Sequence, residues 1–168
     1  VGSGLIGSLV ALALNKKKFK VLVVEKNNLN RKDNRTLAVN ARSRDFITWL
    51  KIWELLPSIP EPIDEICISD YINKNPIKFE SFGEPMGNVI YNKDLLTLAH
   101  KKLIQLKLLN KNIDIPFDQM MPKQEIVFSN KRYIFKKIIF CVGKKATFDQ
   151  IRRRDFTNIH KSYVGFFK

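Results

Sequence analysis

The sequence predicts an α/β fold, and three observations carry that prediction. Gly2-Ser3-Gly4-Leu5-Ile6-Gly7 opens directly onto an apolar, helix-favouring run. The next run, Phe19-Lys20-Val21-Leu22-Val23-Val24, is apolar and β-branched and leads into Glu25. Further on, two short β-type runs flank the turn Asn73-Lys74-Asn75-Pro76. A helix between buried strands is the pattern of a βαβ unit, whereas two strands joined by a short turn make a hairpin.

Each element follows in order. Residues 8–18 read as the first crossover helix and residues 19–24 as a buried parallel strand. Residues 26–34, rich in Asn and Lys, form a loop. Residues 41–56 resume helical spacing, with Phe46, Ile47, Leu50, Trp53 and Leu56 as the apolar stripe, until Pro57, Pro60 and Pro62 interrupt the chain. Ile66, Ile68, Tyr71 and Ile72 mark one hairpin strand and residues 77–82 the other. Residues 92–109 form a second long helix, with Asp94 near its start and Leu95, Leu98, Leu103, Leu106 and Leu109 facing inward. Three strands are then expected at 113–115, 125–128 and 133–142, the last returning to the parallel sheet through its apolar end at 138–142.

Composition narrows the function classes. A length of 168 residues suits one domain, or one and a half small ones, and 45% hydrophobic residues support a packed core rather than disorder. No apolar run reaches the roughly 18 residues of a membrane span. The apolar residues 9–14 precede the lysines at 16–18 instead of following them, which is the wrong order for a signal peptide. Cys67 and Cys141 lie far apart without metal spacing and read as buried, reduced thiols in a cytoplasmic protein. His100 and His160 read as surface or packing residues. The net charge of +14 is spread over scattered lysines, so no nucleic-acid partner is expected. Loose attraction to an anionic membrane surface is compatible with it.

The glycine run carries the most specific chemistry. In a Gly-x-Gly-x-x-Gly turn the first glycine permits the tight bend, the second lets backbone approach a pyrophosphate, and the third allows close packing of helix on strand. Gly2, Gly4 and Gly7 fall at those places. Free amides at the helix start then face the phosphates, helped by the helix dipole. Glu25, 18 residues beyond Gly7, stands where a carboxylate accepts hydrogen bonds from ribose hydroxyls and disfavours a 2′-phosphate. The alternative is a glycine-rich turn in an unrelated α/β protein. The expected architecture is thus a Rossmann-like FAD/NAD(P)-binding domain. The hairpin inserted after the second helix argues for FAD over NAD, with an interwoven, incomplete β-sheet substrate domain.

With these segments in view, the chain resembles the flavin-dependent hydroxylases of ubiquinone biosynthesis, within the aromatic-ring flavin monooxygenases. The resemblance covers residues 1 to about 110. Its marks are the glycine run with Leu12-Ala13-Leu14, Asp33-Asn34-Arg35-Thr36-Leu37-Ala38-Val39, Trp53-Glu54-Leu55-Leu56 with Pro62-Ile63 and Ile68-Ser69-Asp70, and residues 86–95 around Gly87 and Asn92. It implies FAD as cofactor, NAD(P)H as electron donor, O₂ as co-substrate and a polyprenylated phenol as the ring hydroxylated. Contact with the inner membrane, or with a ubiquinone-synthesis complex, is implied as well. By position Arg35 would touch FAD near the pyrophosphate or flavin edge, with Asp33 orienting it, unless Arg35 is a solvated loop residue. Asn92 would touch the cofactor or cap the helix behind it.

The chain also departs from the pattern. Tyr91 stands where the family has Glu, Val142 replaces an Asp before Gly143, and Ala146 replaces a Ser. The sequence opens one residue before Gly2, so it reads as a truncated copy or a piece of a longer protein, too short to be active alone. Four divisions are expected: 1–62 for the ADP moiety, 63–91 a substrate-domain hairpin, 92–150 returning to the FAD domain, and 151–168 a basic tail. Besides the hydroxylase, a non-catalytic FAD/ADP-binding fragment or partner-dependent module and an NAD-type reductase or dehydrogenase remain as readings. No catalytic side chain and no metal ligand is assigned, because the flavin itself would carry the oxygen chemistry.

Overall fold

A computed structural model describes residues 1–27, 29, 34–69, 75–114 and 124–143. Asp33, Tyr71, Ile72, the first half of the expected turn at 73–76, Ile115, Ala146, His160 and the tail from 151 lie outside them. The fold is mixed α/β. In chain order its elements are α1 (Leu5–Lys16), β1 (Val23–Glu25), β2 (Thr36–Asn40), α2 (Ala41–Trp49), a 3-10 turn (Trp53–Leu55), β3 (Glu61–Ile63), β4 (Glu65–Ile68), β5 (Ile77–Glu80), β6 (Gly87–Tyr91), α3 (Asn92–Gln105), β7 (Leu109–Lys111), β8 (Glu125–Phe128) and β9 (Lys131–Ile134).

β1 and β7 pair in parallel, Val24 opposite Asn110. Backbone bonds extend this layer beyond the two strands. The Gly2 amide donates to the Val24 carbonyl at 2.8 Å. On the far side of Val1, its nitrogen donates to the Ile139 carbonyl at 2.6 Å and the Cys141 amide donates to the Val1 carbonyl at 2.7 Å. One residue bonded to both flanks of Phe140 is the parallel pattern. The lateral order is therefore 109–111, 23–25, 1–2, 139–141.

The two faces of this layer explain why β1 is apolar throughout. Side chains alternate across a strand. Val23 joins the main core with Leu9 and Leu12 of α1 and Leu95, Ala99 and Leu103 of α3. Val24 points the other way, into a smaller cluster with Ile126 of β8, Val1, Phe128, Tyr133 and Phe140. Helices cover one face and the antiparallel β8–β9 hairpin covers the other.

A second sheet has the order β2-β6-β3, all antiparallel. Pro62 lies in β3 at its edge, where a missing N–H costs no ladder bond. α2 follows β2 directly, and the Asn40 Oδ1 accepts the Ser43 amide at 2.9 Å as its N-cap. The C-terminal carbonyls are met by lysines. The Lys102 ammonium donates to the Leu50 carbonyl at 2.6 Å and the Lys51 carbonyl at 2.9 Å, and Lys16 donates to the Trp49 carbonyl.

The expected hairpin is present as β4 and β5, with Ile66 opposite Phe79 and Ile68 opposite Ile77. Its bounds are narrower than 63–91, because Ile63 and residues 87–91 belong to the other sheet. Several other boundaries need correction. α1 begins at Leu5, so Gly7 lies inside its first turn rather than ahead of it. Lys18 adopts φ 68 just after α1, and Phe19 is exposed, so β1 is confined to the stretch that finds a partner. α2 ends at Trp49, where Lys51 turns left-handed at φ 56, and Phe46 leaves the apolar stripe to stack on Trp49 at the surface. α3 ends at Gln105; Lys107 at φ 55 reverses the chain, Leu106 is exposed, and Leu109 enters β7 in place of the strand expected at 113–115. Cys67 is exposed and Cys141 half-buried, so neither is the buried thiol expected: Cys67 lies on a two-stranded ribbon, opposite Lys78.

Candidate functional site

The glycine run sits where the Val1–Gly2 backbone, flanked by β1 and residues 139–141, turns into α1. Gly2 adopts φ +90, and a Cβ on it would lie 2.5 Å from the Cys141 carbonyl oxygen. A Cβ on Gly7 would lie 2.0 Å from the Gly2 carbonyl oxygen. No side chain fits at either position. Gly4 differs: its φ is −59 and a Cβ there would meet nothing within 4 Å. Gly4 is the N-cap of α1 and has no side chain to offer the helix. The amides of Leu5, Ile6 and Gly7 lack intrahelical acceptors, as at any helix start. The result is a set of N–H donors at the positive end of the helix dipole, beside open space at Gly4.

Glu25 closes β1 and is buried. Its Oε2 accepts the Ser3 amide at 2.7 Å and the Ser3 hydroxyl at 3.0 Å. Its Oε1 accepts the Asn27 amide at 2.9 Å and the Asn27 Nδ2 at 3.3 Å. The acid predicted from spacing alone thus lies against the glycine run. The longest of these bonds, from the Asn27 side chain, is the one a competing hydroxyl displaces most readily.

Ser3 is held from the opposite direction too. Its carbonyl accepts the Ser8 hydroxyl at 2.9 Å and lies 2.6 Å from the His100 Nε2. Ser3, Ser8 and His100 are all buried. A ring nitrogen that close to a carbonyl carries the proton, so Nε2 is the donor. The turn is therefore fixed by β1 through Glu25, by α1 through Ser8 and by α3 through His100.

Arg35 and Asn92, far apart in sequence, adjoin here: the Asn92 amide donates to the Arg35 carbonyl at 2.9 Å, at the end of the β2–β6 pairing. Tyr91, not Asn92, is the N-cap of α3 and makes no capping bond, so the capping role weighed for Asn92 does not hold. Asn92 is the first helical residue and is buried. It lies eight residues before His100 on α3, on the order of 12 Å along the helix.

Of the predicted residues, the structure brings Gly2, Gly4, Gly7 and Glu25 together, and it joins Arg35 to Asn92 through their backbones. Ser3, Ser8, Asn27 and His100 were missed by sequence reasoning. A polar His100 next to the stripe Leu95, Ala99 and Leu103 was the available signal. Lysine and aromatic side chains do meet in space, although they are not interleaved in sequence: Lys16 and Lys17 lie over Trp49 and Lys93 over Tyr91. No described helix is long and apolar enough to cross a membrane.

Chemically, the arrangement supplies backbone donors for an anion and, within the same turn, an acceptor for hydroxyls. Compared with protein-family models and with curated proteins, the chain matches none.

Proposed function

We propose that this chain binds the ADP half of FAD, as the nucleotide-binding portion of a flavin-dependent hydroxylase acting on a polyprenylated phenol. The observation that carries the reading is the bond from the Ser3 amide to Glu25. It sets the ribose acceptor and the phosphate donors side by side. The lateral order 109–111, 23–25, 1–2, 139–141 supports it, since it is compatible with the 3-2-1-4 part of a doubly wound sheet. The glycines fit the same ligand: two are locked by neighbouring backbone and one faces open space.

In this reading the amides at the start of α1 hold the diphosphate, and Glu25 takes the adenosine ribose hydroxyls by displacing the Asn27 amide group. A 2′-phosphate would set negative charges together, so NADP is disfavoured at this site. Arg35 and Asn92 would receive the other half of the dinucleotide. FAD would supply the oxygen chemistry, with NAD(P)H as the electron source. The net charge of +14 would favour contact with an anionic bilayer in which such a substrate dissolves, and the protein would work peripherally at the inner membrane.

A second reading, nucleotide binding without turnover, is favoured by Val142. The strand-like segment at 139–141 runs into Val142-Gly143, without the carboxylate that the hydroxylase pattern has before its glycine. Calorimetric titration with FAD, ADP, NAD and NADP tests the common element of both readings. Expected is binding of FAD and ADP, loss of both in Glu25→Ala, and the weakest response to NADP. No binding of any of the four by the folded chain refutes it. Oxidation of NAD(P)H by the FAD-loaded chain then separates the hydroxylase from the binding module.

A further inference from the structure

We infer that His100 is a positioning residue for the phosphate-binding turn: through the Ser3 carbonyl it aims the Gly4 amide at the bound diphosphate. The inference rests on the nucleotide-binding reading above and adds to it a residue that lies 97 positions from the turn it controls.

The argument is geometric. In a trans peptide the carbonyl and the following N–H point in opposite directions across one rigid plane. No cis peptide occurs among the described residues. The Ser3 carbonyl is drawn into the protein interior by two donors, the Ser8 hydroxyl at 2.9 Å and the His100 Nε2 at 2.6 Å. The other edge of that same peptide plane is the Gly4 N–H, which is thereby turned outward. A Cβ at Gly4 would meet nothing within 4 Å, so there is open space beside this residue. Rotation of the plane would withdraw the Gly4 donor and leave a carbonyl oxygen facing the phosphate instead. The Ser3 amide and hydroxyl, held by Glu25, fix the preceding part of the turn but not this plane.

Ser8 alone is a weaker anchor. Its hydroxyl belongs to the helix that the turn itself starts, whereas His100 belongs to a separate element, α3, packed in the core through Leu95, Ala99 and Leu103. His100 therefore ties the turn to a rigid reference.

The test is ADP titration of the full chain by calorimetry, alongside the shift of the Gly4 amide resonance on ADP addition. His100→Leu, which removes the donor, is expected to bind ADP about tenfold more weakly, the equivalent of one net hydrogen bond. Its Gly4 amide should also move less than in the unaltered chain. His100→Gln, whose amide nitrogen reaches about as far as Nε2, is expected to restore both. Equal ADP affinity and equal Gly4 shift in the unaltered chain and His100→Leu overturn the role of His100 while leaving nucleotide binding intact. A chain that binds no ADP at all overturns both. Should His100→Leu not fold, His100→Gln and Ser8→Ala decide: the first must keep the Gly4 response and the second must reduce it, and any other result refutes the assignment.

Discussion

The Ser3 amide and the Ser3 hydroxyl both donate to one oxygen of the Glu25 carboxylate, at 2.7 and 3.0 Å, across 22 residues of sequence. That relationship joins the end of β1 to the turn before α1. It makes Glu25 a structural acceptor before any ligand arrives. Replacing the carboxylate therefore has two separable effects.

Glu25→Gln is expected to destabilise the chain by about 1–3 kcal/mol, because an amide nitrogen then faces buried donors it cannot accept. Urea unfolding measures this without a ligand. If the variant unfolds at the same urea concentration as the parent, the bonds from Ser3 and Asn27 contribute nothing net to the fold.

Gly4 and Gly7 are expected to respond differently to the same added methyl group. In Gly7→Ala the new Cβ meets the Gly2 carbonyl oxygen at 2.0 Å, which is backbone and cannot step aside. The variant should lose more than the about 1–3 kcal/mol typical of overpacking, or fail to fold. In Gly4→Ala the φ of −59 suits any residue and the space is open, so the poorer N-cap and the smaller unfolded-state entropy offset each other and stability should stay within about 1 kcal/mol of the parent. ADP affinity should nevertheless fall, since the methyl group occupies the approach to the amides. Thermal melts and calorimetry on both variants check the contrast, and a Gly4→Ala chain with undiminished ADP affinity would place the phosphates elsewhere.

Much of this site was legible because its residues are local. Gly2, Gly4 and Gly7 fall within one turn, and Glu25 follows at the end of the next strand, so spacing alone sufficed. His100 was not legible, since its contact with Ser3 depends on how α3 crosses α1, which no periodicity encodes. The helices were found but overrun at their C-terminal ends. At Lys18, Lys51 and Lys107 lysines take positive φ, where glycine would have signalled the stop. β2 and β6 passed unrecognised as strands because each runs directly into a helix with no intervening turn residue.

The two thiols should be distinguishable by rate. Cys67 is exposed on β4, whereas Cys141 is half-buried and its amide is engaged by the Val1 carbonyl. Under native conditions a thiol reagent is expected to modify Cys67 first and Cys141 more slowly. Both should react together once urea unfolds the chain. Mass spectrometry of peptides from a timed reaction reads the order, and faster labelling of Cys141 would mean that the contact between 139–141 and Val1 opens readily in solution.

Lys102 offers a test of electrostatics away from the nucleotide. Burial lowers its pKa below the usual 10.5, Lys16 and Lys51 add repulsion, and Glu54 opposes them. A base with a lowered pKa in the folded state sheds its proton there first. The unfolded chain then holds more protons, and stability rises with pH in the interval from the lowered value up to 10.5. The neutral amine retains two N–H donors for the carbonyls of Leu50 and Lys51, so the end of α2 keeps its partners throughout. Lys102→Met lacks both the titration and the donors. At neutral pH its two effects oppose each other: relief of repulsion stabilises, while loss of the two bonds costs about 1 kcal/mol. As the pH approaches 10.5 the parent regains what repulsion cost it, and the variant should fall progressively behind. Unfolding midpoints of the two chains between pH 8 and 10.5, taken as a difference so that the other lysines cancel, measure this. A difference that stays flat across the interval would show that the Lys102 ammonium is not strained by its surroundings.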